Sequence, residues 1–477
     1  MGVWALFLCQ QIGLGRDFMY EQDTIAAIST ALGEGAIGIV RLSGPEAVEI
    51  ANKIYHGKDL TLVSSHTINY GHLYNLKTEQ LIDEVMVSVL RAPRTFTRED
   101  IVEINCHGGI IAVRRVLEAT LQAGARLAEP GEFSKRAFLN GRIDLSQAEA
   151  IMDLIQAKTD RAMEASMNQL QGSLSKQIKE LRQEMLQTIA QVEVTIDYPE
   201  YDDVEEISTR ELNKTAQKVN EKIKRILQQA QQGRLFREGI NTALIGRPNV
   251  GKSSLLNALS GVEKAIVTEI AGTTRDTIEE FVNVRGVPLR LIDTAGIRQT
   301  DEIVEQIGVE KSRQVMEEAD LIILILNQSE PLNEVDKELL ALTKDQSRII
   351  LLNKQDLPTQ LNLNELEPYI QSDELIQTSI IQSEGLDQLE RKIEDRFFSG
   401  NIQSNDMNFL LNTRHTHLLK EAQQALLEVI EATALNLPVD LIQIDFTHAW
   451  DLLGEIIGES VQDELINQLF SQFCLGK

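Results

Sequence analysis

The sequence is poor in cysteine and has no long apolar run. It contains three cysteines, Cys9, Cys106 and Cys474, a number that cannot pair completely and that matches no zinc-ligand spacing. This excludes a small secreted scaffold held by disulfides and favours a reducing, cytoplasmic compartment. No apolar segment reaches the ~20 residues that a transmembrane helix needs, so the sequence predicts no association with a membrane.

Basic residues are also few. Lys and Arg number 46 against 72 Asp and Glu, which gives a formal net charge of -26. Binding to a nucleic acid depends largely on Lys and Arg side chains that neutralise backbone phosphates. Any role with a nucleic acid therefore requires a local basic patch or a basic partner.

The opening segment lacks the features of a targeting signal. Residues 1–18, "MGVWALFLCQQIGLGRDF", have a short apolar core without a basic n-region or a small-residue cleavage site. We interpret them as an extension that is disordered or that arises from a misassigned start. The folded chain is expected to begin at Met19.

The 477 residues have room for about three domains. In residues 19–144, short β-like runs such as "GIVRLSG" and "EVMVSVLRA" alternate with turns, and one helical run, "IIAVRRVLEATLQAGA", follows "CHGG". This pattern predicts an α+β N-terminal domain. Residues 145–236 carry apolar residues at helical spacing, and we expect Gly233 and Gly239 to break that helical stretch.

A second change of pattern follows. Residues 237–399 alternate apolar strands with helical runs, which is typical of an α/β domain, and helices return over residues 400–477. A doubly wound domain often has neighbouring termini and can be inserted into another domain. The sequence therefore predicts an all-α helical domain in two parts, interrupted by an inserted α/β domain.

The inserted domain opens with a phosphate-binding motif. "GRPNVGKSS", residues 246–254, lies between the apolar run "TALI" and the helical run "SLLNAL", which is GxxxxGK[ST] in its strand–loop–helix context. Glycines let backbone N–H groups close around phosphates. We expect Lys252 to reach the β- and γ-phosphates and Ser253 to bind Mg²⁺.

Four further motifs follow in the order of a Ras-like P-loop GTPase. "TEIAGTTRD" fits the first switch, with Thr274 as a ligand of Mg²⁺ and the γ-phosphate, and "DTAG" follows the strand "LRLI". "NKQD" follows "IILL", and the carboxylate of Asp356 can accept hydrogen bonds from N1–H and the amine of guanine, which adenine does not offer. "TSI" stands where Ser-Ala-Lys is usual, and the Ser379 backbone can contact the base. Together they predict a G domain that binds GTP.

The predicted GTP-binding residues belong to these four motifs and to the phosphate-binding motif before them. They are Asn249, Val250, Gly251, Lys252, Ser253, Ser254, Thr268, Glu269, Ile270, Ala271, Gly272, Thr273, Thr274, Asp293, Thr294, Ala295, Gly296, Asn353, Lys354, Asp356 and Ser379.

One expected catalytic residue is missing. A Ras-type G domain has a glutamine directly after DxxG that orients the attacking water. Ile297 stands there and cannot do so. Either hydrolysis is very slow or another group positions the water. Arg275 is a candidate arginine finger, and a solvated switch residue is an equal alternative.

Motifs inside and outside the G domain carry a resemblance to a known family. They are "GAIGIVRLSG", "CHGG", "PGEFSKRAFLNGRIDLSQAEAI", "GRPNVGKSSLLNAL", "IVTEIAGTTRD", "DTAGIR" and the terminal "FCLGK". From about Tyr20 to Lys477 the sequence resembles the MnmE (TrmE) family of tRNA uridine-modification GTPases. The resemblance implies that the N-terminal domain binds folate and dimerises. It also implies addition of a carboxymethylaminomethyl or aminomethyl group to C5 of the wobble uridine of certain tRNAs.

The resemblance further implies cofactors and partners. The one-carbon unit would come from 5,10-methylene- or 5-formyl-tetrahydrofolate, and the cofactors of the G domain would be GTP, Mg²⁺ and K⁺. The chain would form a homodimer and join an MnmG (GidA)-type flavoprotein, which carries FAD, in a heterotetramer or larger complex that acts on tRNA. That partner would supply the tRNA-binding surface that this acidic chain lacks.

By position, the resemblance assigns ligands. Those for K⁺, which would replace an arginine finger, are Asn249, Thr268, Ile270 and Thr273; those for Mg²⁺ are Ser253 and Thr274. Those for folate are Arg41, Glu103, Arg142 and Lys477. Arginines suit the folate carboxylates and a glutamate suits the pterin N–H pair, and surface ion pairing is the alternative.

Three residues are predicted to be catalytic: Lys252, Glu305 and Cys474. The resemblance implies that Glu305 positions the attacking water, and the alternative is an exposed helix residue. In the tail "FCLGK", Phe473 continues an apolar stripe and Gly476 allows a sharp turn, so we expect Cys474 to reach the folate pocket. Its thiol would attack or protect a reactive one-carbon or uridine intermediate. The alternative is a frayed terminus with an incidental cysteine.

A rival function is a regulatory or ribosome-assembly GTPase without modification chemistry. It explains the G domain, but it explains neither the tail nor the N-terminal domain. It also predicts a basic RNA-binding module, which the sequence does not contain.

Overall fold

The computed structural model describes residues 23–197, 202–262, 280–292, 316, 318–370, 374–397, 411–459, 461, 463–473 and 476. These residues form two compact units. One contains residues 23–148 and the described residues after 460, and the other contains the described residues between 149 and 459. Among all of them, no helix has both the length and the apolar character needed to cross a bilayer.

The first unit is centred on a seven-stranded sheet. Its strands are Ile25–Ile28 (β1), Ile37–Ser43 (β2), Tyr55–His56 (β3), Thr67–Tyr74 (β4), Leu81–Leu90 (β5), Ile101–His107 (β6) and Arg126–Leu127 (β7). They lie in the order β3-β4-β5-β6-β2-β1-β7, and each neighbouring pair is antiparallel except β1 with β7. The predicted α+β class of this part of the chain is confirmed.

Three helices lie among these strands. They are Ala47–Ile54 (α1), Ile110–Ala123 (α2) and Glu132–Leu139 (α3). The sequence predicts only α2, since helices of eight residues are too short for their apolar period to stand out. α1 and α2 pack on one side of the sheet, over a core that includes Val40 and Ile104.

From residue 145 the chain is helical, as predicted. The helices are Leu145–Gln156 (α4), Asp160–Leu170 (α5), Ser173–Asp197 (α6) and Asp202–Glu238 (α7). The expected break at Gly233 is wrong, because α7 runs through it. One internal glycine weakens a helix by only about 1 kcal/mol relative to alanine. Gly239 does end the helix, with a φ of 78° that favours glycine.

A six-stranded sheet follows. Its strands are Ile240–Ile245 (β8), Glu280–Val284 (β9), Val287–Leu291 (β10), Leu321–Asn327 (β11), Arg348–Asn353 (β12) and Leu375–Gln377 (β13). They lie in the order β13-β12-β11-β8-β10-β9, and only β9 and β10 pair antiparallel. The accompanying helices are Lys252–Val262 (α8), Glu334–Leu342 (α9) and Leu386–Phe397 (α10), with a 3-10 turn at Leu363–Glu365. This is the α/β G domain that the sequence predicts.

The central strands of this sheet place the nucleotide motifs. β11 and β12 are buried along their whole length, which accounts for the continuous apolar runs "LIILIL" and "IILL". Because β8, β12 and β13 belong to the parallel part of the sheet, their carboxyl ends lie at one edge. Ligands of open α/β sheets bind at that edge.

Beyond the G domain the chain returns to helix. Thr413–Ala434 (α11) and Val439–Ile457 (α12) pack with α6 and α7 around one core, which contains Leu181, Leu212 and Phe446. The G domain therefore separates two halves of one bundle in the sequence. The stripe predicted on α11 faces this core, with Ile430 partly buried and the others buried: Leu419, Ala422, Leu426 and Val429.

A buried ionic cluster joins α4 to the second half of the bundle. Oε2 of Glu149 lies 2.6 Å from Nε2 of His415 and accepts a hydrogen bond of 2.8 Å from Arg414. Arg414 also donates to the carbonyls of Glu455 and Ile456 at the end of α12. Burial opposes ionisation of Glu149, but His415 and Arg414 outweigh it and hold the pKa of Glu149 far below its ordinary value.

The last helix, Asp463–Ser471 (α13), belongs to the first unit. The sequence assigns residues 400–477 to the helical domain, and that assignment stays a prediction; in the structure α13 packs against α3. The ring centroids of Phe138 and Phe470 are 6.2 Å apart, and those of Phe470 and Phe473 are 5.0 Å apart. The other predicted domain boundaries stay predictions.

Candidate functional site

The loop between β8 and α8 has a backbone that few residues can adopt. Gly246, Asn249 and Gly251 have φ angles of 152°, 61° and 111°. A Cβ at Gly246 would lie 2.4 Å from the carbonyl oxygen of Ile325, and a Cβ at Gly251 would lie 2.4 Å from Nδ2 of Asn353. The glycines of the motif are therefore required by the packing as well as by the φ angles.

Lys252 is the first residue of α8, and its ammonium lies inside this loop. Nζ donates hydrogen bonds of 2.7 Å to the carbonyls of Gly246 and Arg247. Ser253 and Ser254 follow in the first turn of the helix and are exposed. A helix N-terminus favours anions because its first N–H groups lack helical partners. The loop, the ammonium and the helix end together suit phosphate groups.

The "NKQD" motif after β12 is joined directly to the phosphate loop. The buried amide of Asn353 donates from Nδ2 to the carbonyl of Val250 at 2.7 Å. Its Oδ1 accepts from the backbone N–H of Ile380 at 3.2 Å, in the "TSI" segment after β13. Asn353 therefore holds three predicted parts of the nucleotide site together, by contacts with the backbone of its neighbours.

Asp356 is oriented by a neighbouring hydroxyl. Oγ of the fully buried Ser379 donates to Oδ1 of Asp356 at 2.7 Å, while Asp356 itself is exposed. Lys354, between Asn353 and Asp356 in the motif, has a φ of 72°. The sequence predicts a role for the backbone of Ser379. The structure adds that its side chain fixes the carboxylate suited to a guanine base.

A second group of predicted residues lies in the first unit. Arg41 of β2 and Glu103 of β6 are opposite each other, and Nη2 of Arg41 lies 2.7 Å from Oε1 of Glu103. The guanidinium carbon of Arg41 also lies 5.8 Å from the ring centroid of Phe133. Arg142 is exposed just after α3 and, among the described side chains, makes no ion pair with either of them. The predicted folate ligands are thus brought together in part.

The helix that carries Phe133 is held by buried ion pairs. Nη2 of Arg136 lies 2.6 Å from Oδ1 of Asp23 and 3.0 Å from Oε1 of Glu132, and Arg126 contacts the same two carboxylates. Burial opposes ionisation of Asp23 and Glu132, but Arg126 and Arg136 outweigh it and lower both pKa values. At neutral pH these ion pairs therefore hold in place the helix that carries Phe133 against Arg41.

The C-terminal tail returns to this same place. The carbonyl of Gly476 accepts hydrogen bonds from Oγ of Ser29 at 3.2 Å and from Nη1 of Arg41 at 3.5 Å. Gly476 has a φ of 86°, and a Cβ on it would lie 2.2 Å from the carbonyl oxygen of Ile28. Phe473 is buried. These contacts place Gly476 against β1 and β2, so the interpretation of the tail as a frayed end does not hold at this residue.

Several predicted site residues lie outside the described residues. They are Thr268, Glu269, Ile270, Ala271, Gly272, Thr273, Thr274, Asp293, Thr294, Ala295, Gly296, Glu305, Cys474 and Lys477. The predicted K⁺ ligands are therefore described only at Asn249, and the predicted Mg²⁺ ligands only at Ser253. Asn249 and Ser253 carry oxygen donors, the type that Mg²⁺ prefers. The roles of all these residues stay predictions.

Sequence reasoning missed Arg247 and Asp336. Nε of Arg247, in the phosphate loop, lies 2.9 Å from Oδ1 of Asp336 in α9. The two residues are 89 positions apart, and the motif allows any residue at position 247. No signal in the sequence connects them.

Comparisons with known proteins cover nearly the whole chain. The family "MnmE helical domain" matches residues 145–474, and "GTP-binding protein TrmE N-terminus" matches residues 24–142. A protein of Enterococcus faecalis named "tRNA modification GTPase MnmE" is 63% identical over 459 residues, 96% of this chain and 99% of that protein. Its namesake from Bacillus cytotoxicus is 60% identical over 457 residues, 96% of this chain and all of that protein.

One of the similar solved structures is itself a G domain. The G domain of the T. maritima FeoB iron transporter is 27% identical, covers 33% of this chain and 98% of its own, and gives a TM-score of 0.25.

Proposed function

The chain belongs to the MnmE family of tRNA modification GTPases, and we propose that it couples GTP hydrolysis to the addition of a carboxymethylaminomethyl or aminomethyl group to C5 of the wobble uridine of certain tRNAs. Binding and hydrolysis of GTP are supported above all by the hydrogen bond from Asn353 to the Val250 carbonyl. This bond joins the phosphate loop and the base-recognition loop into a single site. Family membership supports the tRNA part.

In the proposed nucleotide site, each described residue has a chemical task. Lys252 neutralises the β- and γ-phosphates, and the backbone around Gly251 approaches them closely because no Cβ intervenes. Ser253 would hold Mg²⁺, which offsets phosphate charge when bound. Asp356, oriented by Ser379, accepts hydrogen bonds from the two donors of guanine. Glu305 would position the attacking water, a task that Ile297 cannot perform.

A monovalent cation is part of this proposal. Asn249 has an exposed side chain and a φ of 61° inside the phosphate loop, so its amide oxygen is available to a cation beside the phosphates. We propose K⁺, with Thr268, Ile270 and Thr273 as further ligands. Its positive charge near the transferred phosphoryl group would replace that of an arginine finger.

In the first unit we propose a tetrahydrofolate site around Arg41. Arg41 offers a cation for a folate carboxylate, and Glu103 offers two acceptor oxygens for the pterin N–H groups. Their ion pair keeps both side chains in place. The side chains of Arg41 and Glu103 are 20% and 24% exposed, so a ligand can reach them from solvent. Arg142 and Lys477 would add cations at the rim.

The tail brings a thiol to the same site in this proposal. Cys474 is bonded to the buried Phe473 and is two residues from Gly476, which Arg41 and Ser29 hold. We propose that its thiol acts on a one-carbon or uridine intermediate beside the folate.

Partners complete the proposal. A second copy of the chain would cover the open face of the first sheet, where Ile68, Tyr70 and Met86 are 69%, 60% and 46% exposed. Apolar patches of this kind mark interaction surfaces. An MnmG-type flavoprotein with FAD would supply the basic surface for tRNA that a chain of net charge -26 lacks. The complex would work in the cytoplasm, where tRNA is modified.

Nucleoside analysis of tRNA tests this function. Cells without the gene should lose the C5 substituent of the wobble uridine in a subset of tRNAs, and the wild-type gene should restore it. The Asp356→Asn variant should not restore it at normal guanine-nucleotide levels. Unchanged wobble uridines in the deletion strain would overturn the proposal and leave a regulatory or ribosome-assembly GTPase.

A further inference from the structure

The side chain of Arg247 has no task in the nucleotide motif, yet it is held firmly. Its guanidinium is 17% exposed, and Nε lies 2.9 Å from Oδ1 of Asp336. Nη1 lies 3.2 Å from Oε2 of Glu330, whose other oxygen accepts a hydrogen bond of 2.7 Å from Asn327 at the end of β11. The phosphate loop is thus tied to the segment that follows β11.

Asp336 is a fixed anchor for this contact. It is 1% exposed and lies in the first turn of α9. Its Oδ2 accepts from the N–H of Asn333 at 3.3 Å, and its own N–H donates to Oδ1 of Asn333 at 2.9 Å, which forms a capping box. Oδ1 remains for Arg247. A buried carboxylate requires such a cation, so the two side chains restrain each other.

The backbone of Arg247 meets the phosphate-binding ammonium. Its carbonyl accepts a hydrogen bond of 2.7 Å from Nζ of Lys252. One residue therefore contacts α9 through its guanidinium and Lys252 through its carbonyl. The loop around it contains the three positive φ angles of Gly246, Asn249 and Gly251. A backbone of this kind persists only where its surroundings hold it.

We propose that Arg247 is a positioning residue of the nucleotide site, which uses Asp336 as its anchor and holds the loop and the Lys252 ammonium in place before GTP binds. The inference rests on the proposed nucleotide site and is independent of any chemistry on tRNA. Preorganisation of a site reduces the entropy lost on binding. The loss of Arg247 should therefore weaken binding more than it slows turnover at saturating GTP.

The test compares nucleotide binding and turnover in the full chain. In Arg247→Ala, the Kd of a fluorescent GDP analogue and the KM for GTP should rise about 10-fold, as when a group that orients a binding side chain is removed. The kcat should stay within about threefold of wild type. Asp336→Asn should behave alike, because an amide has one acceptor oxygen and cannot serve both Arg247 and Asn333.

Two further variants make the result specific. Arg247→Lys keeps a cation for Asp336 and should recover part of the affinity. The double variant of Arg247→Ala and Asp336→Asn should bind no more weakly than either single variant, since both remove one interaction. If Arg247→Ala does not fold, the Kd, KM and kcat of Arg247→Lys and Asp336→Asn test the inference in its place.

Arg285→Ala is the matched control. Arg285 forms ion pairs with Asp387, Glu390 and Glu394 of α10, and among the described residues none of these carboxylates pairs with the phosphate loop. Its removal should leave the GDP affinity unchanged. The inference would be overturned if Arg247→Ala bound GDP within about twofold of the wild-type affinity. It would also be overturned if Arg285→Ala lost as much GDP affinity as Arg247→Ala. A wild-type chain that binds no guanine nucleotide would instead overturn the proposed function.

Discussion

The side-chain amide of Asn353 donates a hydrogen bond of 2.7 Å to the carbonyl of Val250, and so joins the "NKQD" loop to the phosphate loop. Its oxygen accepts from the N–H of Ile380, so the segment after β13 is held by the same side chain. Asn353 is buried, and its contacts are made with backbone groups that have few alternatives. Asn353 therefore links the base-recognition loop to the phosphate loop of the proposed nucleotide site.

Replacing Asn353 by alanine should weaken GDP and GTP binding by at least about 10-fold and lower the free energy of unfolding by about 1–3 kcal/mol, because it leaves the Val250 carbonyl and the Ile380 N–H unpaired. Titration with a fluorescent nucleotide and urea unfolding measure the two effects. Asn362→Ala is the control, since Asn362 only caps an exposed turn of the same unit. Equal losses in both variants would contradict this assignment.

Asp356→Asn should shift the base preference from guanine to xanthine, because the amide donates where the carboxylate accepts. The ratio of Kd values for GDP and XDP measures it. Ser379→Ala should weaken binding of GDP without changing the preference, since it removes only the hydroxyl that orients Asp356. An unchanged GDP preference in Asp356→Asn would exclude this carboxylate as the base-recognition group.

K⁺ should accelerate GTP hydrolysis and Na⁺ should not, if Asn249 holds a monovalent cation beside the phosphates. The Asn249→Ala variant should lose the K⁺ response and keep most of its GDP affinity, because the amide oxygen contacts the cation and not the base. Phosphate release in matched KCl and NaCl checks both statements. Identical turnover of the wild-type chain in the two salts would remove the cation from the proposed function.

Glu149→Gln should lower the free energy of unfolding of the helical bundle at pH 7 by about 3–5 kcal/mol, because it leaves Arg414 and His415 without a carboxylate. The pKa of Glu149 is lowered in the folded state, so its contribution is fully present above the ordinary value near 4.5 and declines as the pH falls below it. The difference in the free energy of unfolding between wild type and Glu149→Gln should therefore become smaller as the pH falls below that value.

Trp450, in α12, reports on this bundle by fluorescence during urea unfolding. Glu421→Gln in α11 is the control, since Glu421 pairs only with the exposed His417 at 3.4 Å. A gap between wild type and Glu149→Gln that stayed constant from pH 7 to below pH 4 would show that the charge of Glu149 is not responsible.

Cys474→Ser should abolish modification of the wobble uridine and leave GTP hydrolysis near the wild-type rate, because the thiol is proposed to act on the one-carbon or uridine intermediate and is not part of the nucleotide motifs. Cys106→Ser is the matched control. Cys106 is buried, and burial together with Asp83 raises the pKa of its thiol to about 11, so it supplies no thiolate. Full modification by Cys474→Ser would return the tail to a purely structural role.

The contacts that sequence can predict are those made within one short segment. The phosphate loop is such a case, because GxxxxGK[ST] encodes its turns, its lysine and its helix start in eight consecutive positions. β11 and β12 are another, since strands buried on both faces give unbroken apolar runs. The fold class and most elements follow from signals of this kind.

The contacts that sequence could not predict join distant positions. Arg247 and Asp336 are 89 residues apart, and Arg41 and Gly476 are 435 apart. Nothing in their local patterns indicates a partner. The helix break expected at Gly233 failed for a related reason, because the preference of one residue is small beside that of the 37-residue helix around it.

The division of the helical bundle between two distant segments has a consequence for synthesis on the ribosome. α6 and α7 emerge first, but the 174 residues between α7 and α11 must be translated before the second half of their core exists. At a translation rate of ~5–20 residues per second this takes roughly 10–35 s. Throughout that interval Leu181 and Leu212 have no partner from α11 or α12. The first half of the bundle therefore lacks part of its core until the second half has been translated.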